Sequence, residues 1–109
     1  MTNLLQKHCV PCEGAVPPLP QSDAEKLLKE ACADWKLSDG KKISREFKLK
    51  NFKEALQFVN KVAHLAEAEG HHPDILVHYN RVTLELWTHA IDGLSENDFI
   101  MAAKIDALM

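Results

Sequence analysis

Three short stretches punctuate this chain and decide what it can become. "SDAE" (Ser22 to Glu25), "NFKE" (Asn51 to Glu54) and "SEND" (Ser95 to Asp98) each set a capping side chain three residues before a carboxylate. A side-chain oxygen so placed accepts from N–H groups that the first turn of a helix leaves without partners. The carboxylate answers the cap's own N–H. Each stretch opens apolar residues at helical spacing. Leu27, Leu28 and Ala31 follow the first; Phe52, Leu56, Val59, Ala63 and Ala66 the second; Phe99, Ala102, Ala103 and Ile105 the third. The alternating four-three spacing of the second helix marks its expected buried stripe. Phe58 and Leu65 fall off that stripe, where an oligomer contact fits. Gly70 should stop this helix, with Pro73 barring continuation.

Between the helices the apolar period drops to two. "KKISREFKLK" puts Ile43, Phe47 and Leu49 on one face and Ser44, Glu46, Lys48 and Lys50 on the other. "RVTLELWTH" points Val82, Leu84 and Leu86 inward and Thr83, Glu85, Trp87 and His89 outward. "DILVHY" supplies a strand before it, with a tight turn near Asn80, and Trp35 to Leu37 leads into a turn at Asp39 and Gly40. The order is α-β-β-α-β-β-α. It predicts an α+β domain, a four-stranded antiparallel sheet with three helices packed on one face. The second sheet face is expected to be half apolar, with Trp87 exposed for a partner subunit to cover.

A chain of 109 residues has room for one modest core. Residues 1–20, ending in the proline-rich "AVPPLP", read as a flexible lead, and 21–109 as the single domain. A net charge of −3 with interleaved signs gives no basic patch, so a nucleic-acid partner is not expected. No apolar run approaches bilayer length and Met1 to Val10 lacks a secretory core, so neither membrane nor export is expected and the chain reads as cytoplasmic. In the lead, "HCVPC" offers His8, Cys9 and Cys12 at a spacing that begins zinc sites. Only Cys32 remains among the thiols to complete one, and no metal is assigned.

The histidines carry the chemistry. His71 and His72 sit between helix two and the third strand, and His89 ends the fourth. In a hairpin the start of one strand lies beside the end of the other, so the three converge. Imidazole exchanges protons near neutrality, and one protonated and one neutral ring can serve as general acid and general base on one substrate. A single such histidine more often caps carbonyls or faces solvent; three together point to function. Three imidazoles can also hold zinc, but adjacent His71 and His72 project differently, which strains a shared metal. His64 and His78 read as surface residues. Asp98 is first a helix cap, and it can also hold a histidine's tautomer from behind. Glu67, one turn before His71, is a surface charge or an orienting acceptor.

These residues also form a pattern: "E-x-x-x-H-H-P" at Glu67 to Pro73, Tyr79, "T-H" at Thr88 and His89, "G-L-S-x-x-D" at Gly93 to Asp98, and "A-x-x-I-D" after it. With "DW" at Asp34 and Trp35, this resembles the pterin-4a-carbinolamine dehydratase family over about Ser22 to Asp106. The resemblance implies a lyase without cofactor or metal. Its substrate would be the 4a-hydroxytetrahydropterin left by aromatic amino acid hydroxylases, dehydrated to quinonoid dihydropterin during tetrahydrobiopterin recycling. It implies His71 and His89 as the acid–base pair and His72 as a pterin contact that assists proton removal. Thr88 and Trp87 would lie against the substrate, while Trp35 and Pro73 wall the pocket. It also implies a homodimer or homotetramer.

Two positions depart from animal members, which carry an aspartate where this chain has Gly70 and a glutamate where it has Ala90. The lead resembles bacterial members. Two other readings follow: a non-catalytic dimerisation coactivator, as animal members also act, and an enzyme for another pterin, as in molybdopterin metabolism.

Overall fold

The computed structural model describes Cys9 and residues 18–108. Its elements are α1 (Gln21–Ala31), β1 (Lys36–Ser38), β2 (Lys42–Lys48), α2 (Phe52–Glu69), β3 (Asp74–His78), β4 (Arg81–Leu86) and α3 (Glu96–Asp106), with a 3-10 turn at His89–Ile91. The sheet is four-stranded and antiparallel, as the alternation predicts, and its strands run in the order β1-β2-β4-β3. Both β-hairpins turn through a left-handed residue, Asp39 with Gly40 in the first and Tyr79 in the second. No helix among the described residues is long and apolar enough to cross a membrane.

The caps work unevenly. Asn51 accepts from the Glu54 N–H at 2.9 Å, and Ser95 and Asp98 close a reciprocal capping box on α3. Ser22 caps nothing: α1 starts two residues earlier than such a cap predicts, at Gln21, with Pro20 at the cap position and no side-chain bond there. Proline fixes the backbone at that point without needing a capping oxygen.

Register sorts the sheet's two faces. Leu37, Ile43 and Leu86 align in one row, Phe47, Val82 and Val77 in another, and Ile43, Phe47, Val82, Leu84 and Leu86 are buried against the helices. The open face carries rows of Lys36, Ser44, Glu85 and Asp74, then Glu46, Thr83 and Leu76, then Lys48, Arg81 and His78. The expectation of a half-apolar open face is therefore corrected: charge dominates it. Trp87 is half-buried, with the Lys42 ammonium 5.0 Å over its ring.

The buried face of α2 also differs from its predicted stripe. Ala55, Phe58, Val62 and Ala66 face the core, while Phe52 and Leu56 are 48% and 41% exposed. Helix two is apolar around much of its circumference, so spacing offers two stripes. The Phe47 ring selects one by packing 4.8 Å from Phe58, which is thus core rather than an oligomer contact. Helix α3 packs on α1, α2 and β4 and buries Phe99 to Ala103 and Ile105, the all-round apolar character of a central helix.

Candidate active site

The pairing of Asp74 with Glu85 places the start of β3 beside the end of β4. The segments flanking that pair, residues 70–73 and 87–90, therefore meet. They enclose a cavity of about 360 Å³ whose walls include His71, His72, Pro73, Trp87, Thr88 and His89, a volume at the small end for ligand pockets. Gly70, Asp74, Ala90 and Asn97 line it too. Two larger surface grooves, one around Asp34, Ser44 and Thr83 and one between α1 and the β1–β2 turn, contain no imidazole.

His71 owes its aim to Gly70. The glycine ends α2 in the left-handed region at φ 68°, and the N–H groups of Gly70 and His71 both bond the Ala66 carbonyl. The chain so turned brings His71 Nε2 within 2.6 Å of Asp98 Oδ1; the histidine side chain is 12% exposed and the aspartate fully buried. Asp98 Oδ2 accepts from the Thr88 hydroxyl at 2.9 Å and the Ser95 N–H at 3.0 Å. Three donors on one buried carboxylate make its charge tolerable. An accepting Asp98 puts the imidazole proton on Nε2, so Nδ1 is the nitrogen left for proton exchange. One carboxylate thus both caps α3 and holds His71.

His72 projects the other way, to Glu67 Oε2 at 2.5 Å, with both side chains more than half exposed. His89 opens the 3-10 turn. Its exposed ring lies 3.9 Å from that of Trp87, and the turn is clamped at its base by Thr88 N–H to the Gly93 carbonyl at 2.8 Å. The Trp87 Nε1–H is buried without a hydrogen-bond partner among the described residues.

Trp35 is not brought to this cavity. It is 2% exposed, meets Phe47 edge-on, and its Nε1–H donates to Asp106 Oδ1 at 2.9 Å. Arg45 reaches the same oxygen at 2.7 Å. The "DW" and "A-x-x-I-D" stretches are thereby two ends of one structural tie, a pairing that no local spacing reveals. Sequence reasoning also missed Asn97, a buried wall of the cavity beside the capping aspartate; its polarity there was the available signal. Of the possible metal ligands in the lead, His8 and Cys12 lie outside the described residues. Among the described residues no three His, Cys, Asp or Glu side chains could hold a metal.

A four-stranded α+β domain with a carboxylate-held imidazole, and two more imidazoles on the same small cavity, defines a protein equipped for proton transfer on a small ligand. The comparisons are specific. The family model for pterin 4 alpha carbinolamine dehydratase matches residues 17–108. A relative of that family from Nitrosomonas eutropha is 52% identical, covering 100% of this chain and 98% of its own. Another from Alkaliphilus metalliredigens is 47% identical over 97% and 96%. A crystal structure of a transcriptional coactivator/pterin dehydratase from Brucella melitensis superposes with a TM-score of 0.77 at 37% identity, covering 84% of this chain and 97% of that one. The chain belongs to the pterin 4 alpha carbinolamine dehydratase family, and a dehydratase is by its chemistry a hydro-lyase.

Proposed function

We propose that this protein dehydrates 4a-hydroxytetrahydropterin to quinonoid dihydropterin by histidine acid–base catalysis, in the recycling of tetrahydrobiopterin for aromatic amino acid hydroxylation. The carrying observation is the convergence of three imidazoles on one cavity, one of them held by buried Asp98. The reaction breaks the C4a–O bond as a proton reaches the departing hydroxyl, while N5–H gives its proton to a base and N5=C4a forms. Only proton transfers are needed, so no cofactor or metal is invoked. His71 and His89 form the acid–base pair, and His72, steadied by Glu67, contacts the pterin and assists proton removal. Pro73 and Trp87 flank the ring, and the unpartnered indole N–H is a donor that an acceptor on the ring would satisfy. Thr88 contributes indirectly, by holding Asp98 through its hydroxyl and clamping the His89–Ile91 turn through its backbone.

Stopped-flow dehydration of freshly generated 4a-hydroxytetrahydropterin by metal-stripped protein tests this reading. Acceleration over the spontaneous rate, reduced by a factor on the order of 100 in His71→Ala and in His89→Ala, is expected. Full activity in either variant removes that histidine from the mechanism. Gly70 and Ala90 both line the cavity, so the assay includes a second pterin of the molybdopterin type.

The protein acts in the cytoplasm, consistent with the free thiols of Cys9 and Cys32, as a homodimer or homotetramer. The exposed α2 stripe at Phe52 and Leu56 supports this. So does edge strand β3, where Ile75, Leu76 and Val77 are each at least 36% exposed. Leu56→Asp should lower the sedimenting mass. The same α2 stripe favours a second reading, docking of a partner's helices in a coactivator role. It gains ground if the wild-type protein sediments as a monomer without dehydratase activity.

A further inference from the structure

A second ion pair joins α3, which carries Asp98, to the end of α2, just before His71. Glu69 is the last residue of α2, two positions before His71, and Lys104 of α3 approaches it at 3.6 Å, with side-chain exposures of 6% for Glu69 and 14% for Lys104. The place is hostile to a carboxylate. The C-terminal end of a helix carries the negative end of its dipole, and burial removes water. Such a charge persists only with hydrogen bonds in addition to its counter-ion. One comes from far along the chain: the backbone N–H of Cys9 donates to Glu69 Oε1 at 2.8 Å, across 60 residues. The Cys9 thiol lies 3.7 Å from the Asn97 carbonyl oxygen, directly before Asp98. Cys9 therefore spans the two strands of chain whose separation sets the His71–Asp98 contact.

We propose that the Cys9 amide and Glu69 form a latch that positions His71 against Asp98, making Glu69 and Cys9 positioning residues for the reaction. The inference rests on the reading of His71 as an acid–base group. Cys9, Glu69 and Lys104 do not line the cavity; the latch acts by holding the end of α2 at a fixed distance from α3. Burial, and after it the nearby Glu69 carboxylate, pushes the Cys9 thiol up to about 12. The sulfur accordingly stays neutral among these carboxylates at working pH.

Two substitutions separate the amide from the thiol: Cys9→Pro removes the N–H, and Cys9→Ala removes only the sulfur. Both are assayed in the full chain for kcat and KM, and the free protein is titrated by NMR at the His71 imidazole. Small displacements of a catalytic group fall on rate more than on binding, so Cys9→Pro should lower kcat about tenfold and leave KM within about twofold. It should also move the His71 titration midpoint. Cys9→Ala should do neither, and Glu69→Met, which keeps the length of the side chain but removes the oxygen that accepts the Cys9 N–H, should reproduce the proline variant. A proline variant with wild-type kcat and wild-type His71 titration overturns the latch. So does an alanine variant that falls as far as the proline one, because sulfur packing would then carry the effect. If the wild type lacks dehydratase activity while the His71 midpoint still moves in Cys9→Pro alone, the latch stands and the functional reading falls.

Discussion

Replacing Asp98 with asparagine separates the two duties of that residue. The carboxylate uses Oδ2 for the cap and for Thr88, and Oδ1 for His71. An asparagine oxygen turned toward Ser95 and Thr88 preserves both of those bonds. Its NH₂ then faces His71 Nε2, which must accept instead of donate, so the ring proton moves to Nδ1 and the working nitrogen is blocked. The structural cost is one charge-assisted bond, about 1.5 to 3 kcal/mol. At about 4 °C or more per kcal/mol for a domain of this size, the melting temperature should fall by about 6 to 12 °C, leaving the protein folded at 25 °C. The catalytic cost is larger, because a wrong tautomer removes general acid–base assistance worth about 10²- to 10⁴-fold. Parallel calorimetry and stopped-flow dehydration should show a folded protein with kcat reduced at least about a hundredfold. A variant that melts lower yet keeps kcat within about threefold of wild type would falsify the tautomer argument and leave Asp98 as a cap alone.

Trp35→Phe deletes the indole donor to Asp106 and should cost about 1 to 3 kcal/mol in denaturant unfolding. The dehydration rate should hold, and a lost rate would return Trp35 to the pocket wall. Gly93→Ala would set a Cβ 2.7 Å from the Pro18 Cβ; the overpacking should cost about 1 to 3 kcal/mol by thermal melt. Pro18→Gly in the same chain should recover the loss, and failure to recover would place the strain elsewhere. Burial first, then the Asp106 carboxylate, pushes the Cys32 thiol up to about 12 from 9.0. Above pH 9 the unfolded chain sheds a proton that the folded chain keeps, so stability present below pH 9 is lost as pH rises toward 12. Denaturant midpoints across that window should fall less steeply in Cys32→Ala, and equal slopes would refute the linkage.

What the sequence disclosed was local or topological. The Asn51 and Ser95 caps, the Gly70 stop and the turn at Asp39 depend on residues within a few positions, and the meeting of His71 with His89 follows from any hairpin at Asp74 to Leu86. Asp98 was readable in both roles because its spacing from Ser95 fixed one of them. Choices between equals were not readable. Phe52 and Phe58 both continue an apolar period on α2, and only the Phe47 ring opposite decides between them. Contacts across the chain were not readable either. Asp106 meets Trp35, Lys104 meets Glu69 and Cys9 meets Glu69 because finished packing brings them together, and no periodicity encodes such pairs. At α1, the proline before the helix displaced the serine that looked like its cap.

The two walls of the cavity differ in how much structure must open to move them. Asp98 enters from the first turn of a helix buried nearly all round, so freeing His71 from it requires disturbing the core itself. His89 rides a three-residue turn, exposed at His89 and Ala90, anchored by buried Ile91 and held at its base by the Thr88–Gly93 pair, and such a turn opens at lower cost than a core helix. Amide exchange should therefore be slowest along α3 and fast at 89–92. On the proposed function, a flat ring would be admitted and released past the yielding wall while the opposite wall keeps its proton in place, so turnover would not need to loosen the fold.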